Sequence, residues 1–198
     1  VWNAHSGECL RTQGHGKPVP CAVFSPGGGQ LLAPSHDSTA KLWSVETGEC
    51  LRSFEGHRRN VRFAAFSSDG SFAVTASMDS MAKVWDVASG RCVRTLEGHQ
   101  NWVHRAAFSP DGAMIVTASE DDTAKLWSAD SGECLRTFMG HRHGVCSATF
   151  SPDGALVATA SMDRSAKLWD VGTGDCLHTL AGHSDWVYSA AFSPPLCA

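Results

Sequence analysis

Ser119, His99 and Asp121 are the residue types of a hydrolase triad, in which histidine takes the proton of a serine nucleophile and a carboxylate orients the imidazole. Ser35, His36 and Asp37 offer the same groups in three consecutive residues. Neither set stands alone. His15, His57, His99, His141 and His183, each after a glycine, are spaced by 42 residues throughout. Asp37, Asp79, Asp121 and Asp163 lie 22 residues after the first four histidines, and Trp43, Trp85, Trp127 and Trp169 lie 28 after them. An active site needs one nucleophile with an accessible cavity and an oxyanion site, whereas these groups recur in four near-identical copies. A structural role is therefore expected, and no catalytic residue is assigned.

A period of 42 residues falls in the range of four-stranded propeller blades, about 40–45. The third unit shows how the strands divide. Residues 102–109 are apolar-rich and end at Pro110-Asp111-Gly112, a type I hairpin turn. Residues 113–119 form a second strand, Glu120-Asp121-Asp122 a tight turn, and residues 123–127 a third strand. Asp130-Ser131-Gly132 then turns the chain into a fourth strand over residues 133–138. Strands this short, separated by such turns, leave no room for helices.

The first two strands are apolar on both faces, as in Phe63-Ala64-Ala65-Phe66 and Ala73-Val74-Thr75-Ala76, so both faces must be covered. A unit this small cannot cover itself, and each sheet must stack between its neighbours. The expected fold is an all-β propeller with four complete four-stranded blades and a partial blade split between the termini. Its parts are residues 1–13 (end of a preceding blade), 14–54, 55–96, 97–138, 139–180 and 181–198 (first strand of a truncated blade). Trp2 would close a third strand, residues 8–12 a fourth, and residues 186–193 a first. An open arc cut from a longer ring is preferred to a strained closed one.

Composition limits the function. The 198 residues carry 16 Lys and Arg against 20 Asp and Glu, a net charge of −4, which disfavours a dedicated nucleic-acid or anionic-membrane binder. No apolar run approaches the roughly 20 residues of a membrane helix, and residues 1–5 lack secretory character. Cys50, Cys92, Cys134 and Cys176 recur in the fourth strand, with Cys9 matching them. Equivalent positions on neighbouring blades should exceed the Cα spacing of about 7 Å that a disulfide tolerates. They are expected to be free thiols filling small gaps, which points to a reducing intracellular compartment, cytoplasmic or nuclear.

At Gly-His, the Ser/Thr-x-x-x-Asp turn and the terminal tryptophan, the chain resembles the WD-repeat (Trp-Asp) family of β-propellers over nearly its whole length. The resemblance implies a hydrogen-bonded tetrad in each unit: His57, Thr75 or Ser77, Asp79 and Trp85; His99, Thr117 or Ser119, Asp121 and Trp127; His141, Thr159 or Ser161, Asp163 and Trp169. Parity puts both hydroxyl candidates on one face and does not choose between them; the sets are written with Ser77, Ser119 and Ser161. An indole only donates, a hydroxyl and a neutral imidazole do both, and a carboxylate accepts, so four such groups can link head to tail. The first unit is degraded. Pro34 interrupts its second strand, Ala33 replaces the first hydroxyl, Gly27-Gly28-Gly29 replaces the usual turn, and only Ser35 remains to join His15, Asp37 and Trp43. This blade is expected to be the least stable complete one.

Positions that differ between units follow Gly-His or precede the turn aspartate: Asn60, Arg62 and Met78; Trp102, His104 and Glu120; Gly144, Cys146 and Met162; Trp186 and Tyr188; Lys17, Pro18 and His36. By resemblance they rim the top face, where such propellers bind peptides and partner domains. Arg58, Arg59 and Arg62, with His104 and Arg105, form a basic cluster that would suit an acidic or phosphorylated peptide. The expected function is a non-enzymatic protein-interaction scaffold with no cofactor, metal or small-molecule substrate. The alternatives are a regulatory or sensing region belonging to a multidomain NTPase or kinase, and a phosphopeptide receptor.

Overall fold

The computed structural model describes Ser6, Glu8, Cys9 and residues 14–193. Strand after strand is joined by the short turns that the Pro, Asp and Gly positions specify. The first sheet holds β1 (Val23–Phe24), β2 (Gln30–Pro34), β3 (Ala40–Ser44) and β4 (Cys50–Phe54). The second holds β5 (Val61–Phe66), β6 (Phe72–Ser77), β7 (Met81–Asp86) and β8 (Cys92–Glu97). The third holds β9 (Val103–Phe108), β10 (Met114–Ser119), β11 (Ala124–Ser128) and β12 (Cys134–Phe138), and the fourth β13 (Val145–Phe150), β14 (Leu156–Ser161), β15 (Ser165–Asp170) and β16 (Cys176–Ala181). Each is an antiparallel meander in chain order, and no helix occurs among the described residues.

The core lies between sheets. Trp127 of the third packs on Val74, Val84 and Leu96 of the second, and Trp169 of the fourth on Val116, Leu126 and Phe138 of the third. Phe54 and Trp85 meet with ring centroids 5.5 Å apart, and Phe138 and Trp169 at 5.4 Å. Second strands such as β10, from Ile115 onward, are buried residue by residue because a sheet covers each face. The first strands β5, β9 and β13 pack beside one another.

Every third-to-fourth-strand pairing slips at its tryptophan: Leu126 faces Arg136, then Trp127 faces Cys134. The slip starts the fourth strand at an outer corner, and Cys50, Cys92, Cys134 and Cys176 are exposed free thiols there rather than gap fillers. Each sulfur instead contacts a carbonyl two residues on, as Cys134 Sγ does Arg136 O at 3.4 Å.

The first sheet is pared down. β1 has two residues, Phe24 is 55% exposed, and Pro34 is the last residue of β2, facing Ala40. Residues 186–193 are not a strand, contrary to expectation, because no second strand lies beside them among the described residues. Val187 N–H still donates to Ser161 O at 3.0 Å, as Val61 N–H does to Ser35 O, so the segment docks without a ladder. Trp2 and the expected strand over residues 8–12, Glu8 and Cys9 apart, lie outside the described residues.

Candidate functional site

The recurrent polar groups converge beneath one edge of each sheet. In the third unit the turn after β10 brings Asp121 Oδ2 to 2.7 Å from His99 Nδ1, and His99 Nε2 lies 2.7 Å from Thr117 Oγ1. Trp127 Nε1–H donates to the same Thr117 oxygen at 2.8 Å. With Nδ1–H donating to the carboxylate, Nε2 accepts the threonine hydroxyl, and a single direction of donation runs from indole to carboxylate. Thr75 and Thr159 hold the same place, 2.7 Å from His57 and His141 Nε2.

The hydroxyl in the tetrad is therefore threonine's, which corrects the sets written with Ser77, Ser119 and Ser161. Those serines work one step away. Ser119 Oγ donates to Asn101 O and accepts Asp121 N–H, both at 3.1 Å, and Ser77 and Ser161 do the same in their units. Their task is to hold the aspartate turn. No hydrolase geometry follows, because His99 Nε2 faces Thr117 and both hydroxyl residues are fully buried. In Ser35-His36-Asp37, Ser35 Oγ accepts Asp37 N–H at 3.2 Å, and among the described residues no bond joins the His36 ring to either neighbour.

Burial by itself would raise the Asp121 carboxyl, yet bonds from His99, Thr123 and the Gln100 amide hold it well below the usual carboxylate range. Asp163 is likewise held far below, and Asp79 is lowered, against the same burial. Burial pushes the His141 imidazole down, only partly offset by Asp163. The ring is thus kept neutral, as the donation scheme requires.

The first unit shows what the threonine does. Ala33 stands in its place, and His15 Nε2 and Trp43 Nε1 are buried without a partner. Ser35 does not rescue them, since its hydroxyl holds the Asp37 amide. His15 Nδ1 keeps Asp37 at 3.2 Å, longer than in the other units. Here the carboxyl sits at about 2, with burial again opposed by Thr39 and His15.

The unlike residues gather above these locks. One backbone bond recurs between the strand entrance and the turn: Met78 N–H to Asn60 O, Glu120 N–H to Trp102 O, and Met162 N–H to Gly144 O, at 2.9–3.0 Å. It sets Asn60 beside Met78 and Trp102 beside Glu120. His104 Nε2 lies 2.7 Å from Glu120 Oε2. Cys146 is partly buried, its thiol pushed up by burial and Glu120 against the pull of Arg62. Trp102 is 36%, Trp186 50% and Tyr188 66% exposed, and the last two rings meet edge to face at 6.1 Å.

Glu120, Gly144, Met162 and Trp186 line a cavity of about 810 Å³ between the third and fourth sheets and the last segment. The lock residue Asp163 and Arg142, His143, Asp122, Arg164, Ser184 and Asp185 complete it, and only comparison between units could have flagged these last six in sequence. Carboxylates outnumber guanidiniums on its wall, which does not suit a phosphate group. His141 faces the lock while His143 faces the cavity, so the two do not converge on a metal.

A family profile described as WD domain, G-beta repeat, matches residues 7–44, 48–86, 90–128, 132–170 and 174–195. Among curated proteins, the chain is similar to pre-mRNA-processing factor 17 of Mus musculus, 39% identical over 56 residues, 27% of this chain and 10% of that protein. It is also similar to nuclear distribution protein PAC1 of Arthroderma benhamiae, 48% identical over 46 residues, 23% of this chain and 10% of that protein. Eukaryotic translation initiation factor 3 subunit I of Pyricularia oryzae is 39% identical over 56 residues, 28% of this chain and 16% of that protein. The matched stretches thus cover a small part of each relative.

Proposed function

The chain belongs to the WD40, G-beta repeat family, and from that membership we propose that it is a non-enzymatic scaffold that binds partner proteins or peptides on its top face. One observation carries the reading. The recurrent His, Thr, Asp and Trp side chains are spent on internal locks, whereas the 810 Å³ cavity and its rim, the lock residue Asp163 apart, are built from residues that differ from unit to unit. A framework that repeats and a mouth that does not is the division a recognition surface needs.

The anchors are Trp102, Trp186 and Tyr188, since exposed aromatics beside charged groups have the make-up of interface hot spots. Asn60, Arg62, Met78, His104, Glu120, Cys146 and Met162 surround them as the contact set. One relative is by name a subunit of a larger factor, and a comparable role as an assembly component is proposed for this chain. Exposed free thiols favour a reducing, intracellular setting, cytoplasmic or nuclear. No helix among the described residues is long and apolar enough to cross a membrane.

Affinity capture of partners from a cell extract, identified by mass spectrometry, tests the reading. Trp102→Ala and Trp186→Ala should leave the thermal melt within about 2 °C and abolish capture of the same proteins. Capture that survives both substitutions would place recognition elsewhere.

A further inference from the structure

The basic cluster expected from the sequence is divided by the fold. Arg58, Arg59 and Arg62 are exposed, and His104 is bonded to Glu120. Arg105 has no acid beside it and only part of its side chain reaches solvent. It is partly buried on β9, and among the described residues its one hydrogen bond runs from Nη1 to Ser147 Oγ at 3.3 Å. Its Nε is buried without a partner, and none of the ion pairs involves it. Burial pushes the guanidinium down from its ordinary value, opposed only by Cys21, whose own thiol burial pushes up.

A cation partly withdrawn from water without a counter-ion carries a desolvation cost. The framework does not require it. Cys21, Phe63 and Ser147 occupy the same position of the other three units, and none brings a full charge. The four residues converge: the Arg105 Cζ sits 4.6 Å from the centroid of the Phe63 ring, Ser147 bonds it from β13, and Cys21 is close enough to act on its charge. A leucine or methionine would fill this space without the desolvation.

We propose that Arg105 is the receptor for one carboxylate, supplied by an acidic side chain of a partner peptide entering between the first strands. The inference rests on the scaffold reading for the source of that carboxylate, and on the geometry alone for the receptor. The Phe63 ring lies against Cζ and Ser147 takes Nη1, leaving Nη2 and Nε for the two oxygens of a carboxylate once a small shift of the side chain uncovers Nε. One guanidinium with a neutral hydroxyl beside it balances one negative charge. A phosphate, at nearly two, would be left in excess.

The test follows the Arg105 Nε–H resonance by NMR in the full chain at constant ionic strength. The probes are acetyl-Gly-Glu-Gly-amide, its Gln counterpart and inorganic phosphate. The Glu peptide should give a saturable shift, the Gln peptide none, and phosphate should bind more weakly than the Glu peptide. By peptide-detected titration, R105Q should bind the Glu peptide about tenfold more weakly or worse. Should R105Q fail to fold, R105K keeps the charge without the fork and should still lose several-fold. Equal shifts with Glu and Gln, undiminished binding by the folded variant, or tighter binding of phosphate would overturn the assignment. None of these results bears on partner capture through Trp102 and Trp186, which is read with Arg105 intact.

Discussion

Restoring the missing hydroxyl of the first unit should stabilise the protein. Ala33 faces Lys41 across the ladder as Thr117 faces Lys125, so a threonine there places its oxygen where Thr117 Oγ1 lies, 2.7–2.8 Å from imidazole and indole nitrogens. Two buried groups, His15 Nε2 and Trp43 Nε1, would each regain a partner. A buried polar group without one costs about 1–3 kcal/mol. Against the sum stand the desolvation of the new hydroxyl and its lost rotamers, leaving about 1–3 kcal/mol of net gain for Ala33→Thr. Repeat proteins can open unit by unit, so the gain should appear first where it is made. Hydrogen exchange of β2 and β3 amides should slow by about 5-fold to 150-fold, and a cooperative melt should rise by about 2–10 °C. Ala33→Val supplies the shape without the oxygen. If valine protects β2 and β3 as well as threonine does, packing rather than the hydroxyl limits this sheet and the lock argument fails.

The same logic ranks removals in the intact third unit. Thr117→Val should cost about 2–4 kcal/mol by orphaning His99 and Trp127, and Ser119→Ala about 1 kcal/mol because Asn101 O lies at an exposed residue that water can reach; urea midpoints that reverse this order would return the serine to the tetrad. Gly98→Ala should cost about 1–3 kcal/mol, since its φ of +150 disfavours a side chain and a Cβ would meet the buried Trp127 Cη2 at 3.3 Å; an unchanged melt would show that the indole can yield. Acid should destabilise in two stages. The lowered His141 contributes stability that is complete above about pH 6.5 and lost as pH falls through its folded value. The lowered Asp79, Asp121 and Asp163 contribute stability complete above about pH 4 and lost as pH falls through their still lower folded values. Urea midpoints between pH 8 and pH 2 check this, and a midpoint rising on acidification contradicts it.

The 42-residue recurrence by itself determined the four-stranded unit, its turns and the stacking of sheets, because strand alternation and Pro-Asp-Gly chemistry act between near neighbours. It also marked which positions are framework and which are free to vary. Only the tertiary structure chose Thr117 over Ser119. The two share a face and stand about 6.6 Å apart along the strand, and a hydrogen bond spans less than half of that. The same holds for the arginines of the fourth strands, whose partners lie in a neighbouring unit. Arg52 Nη2 donates to Ala88 O and Arg136 Nη2 to Gly172 O, each at 2.8 Å, so they tie one sheet to the turn of the next. Arg105 makes the point most sharply: in sequence it is one basic residue among five, and its lack of a counter-ion exists only once Cys21, Phe63 and Ser147 of three other units are brought around it. Contacts along one strand can be counted from the chain, but contacts between sheets depend on how far each side chain reaches across the gap.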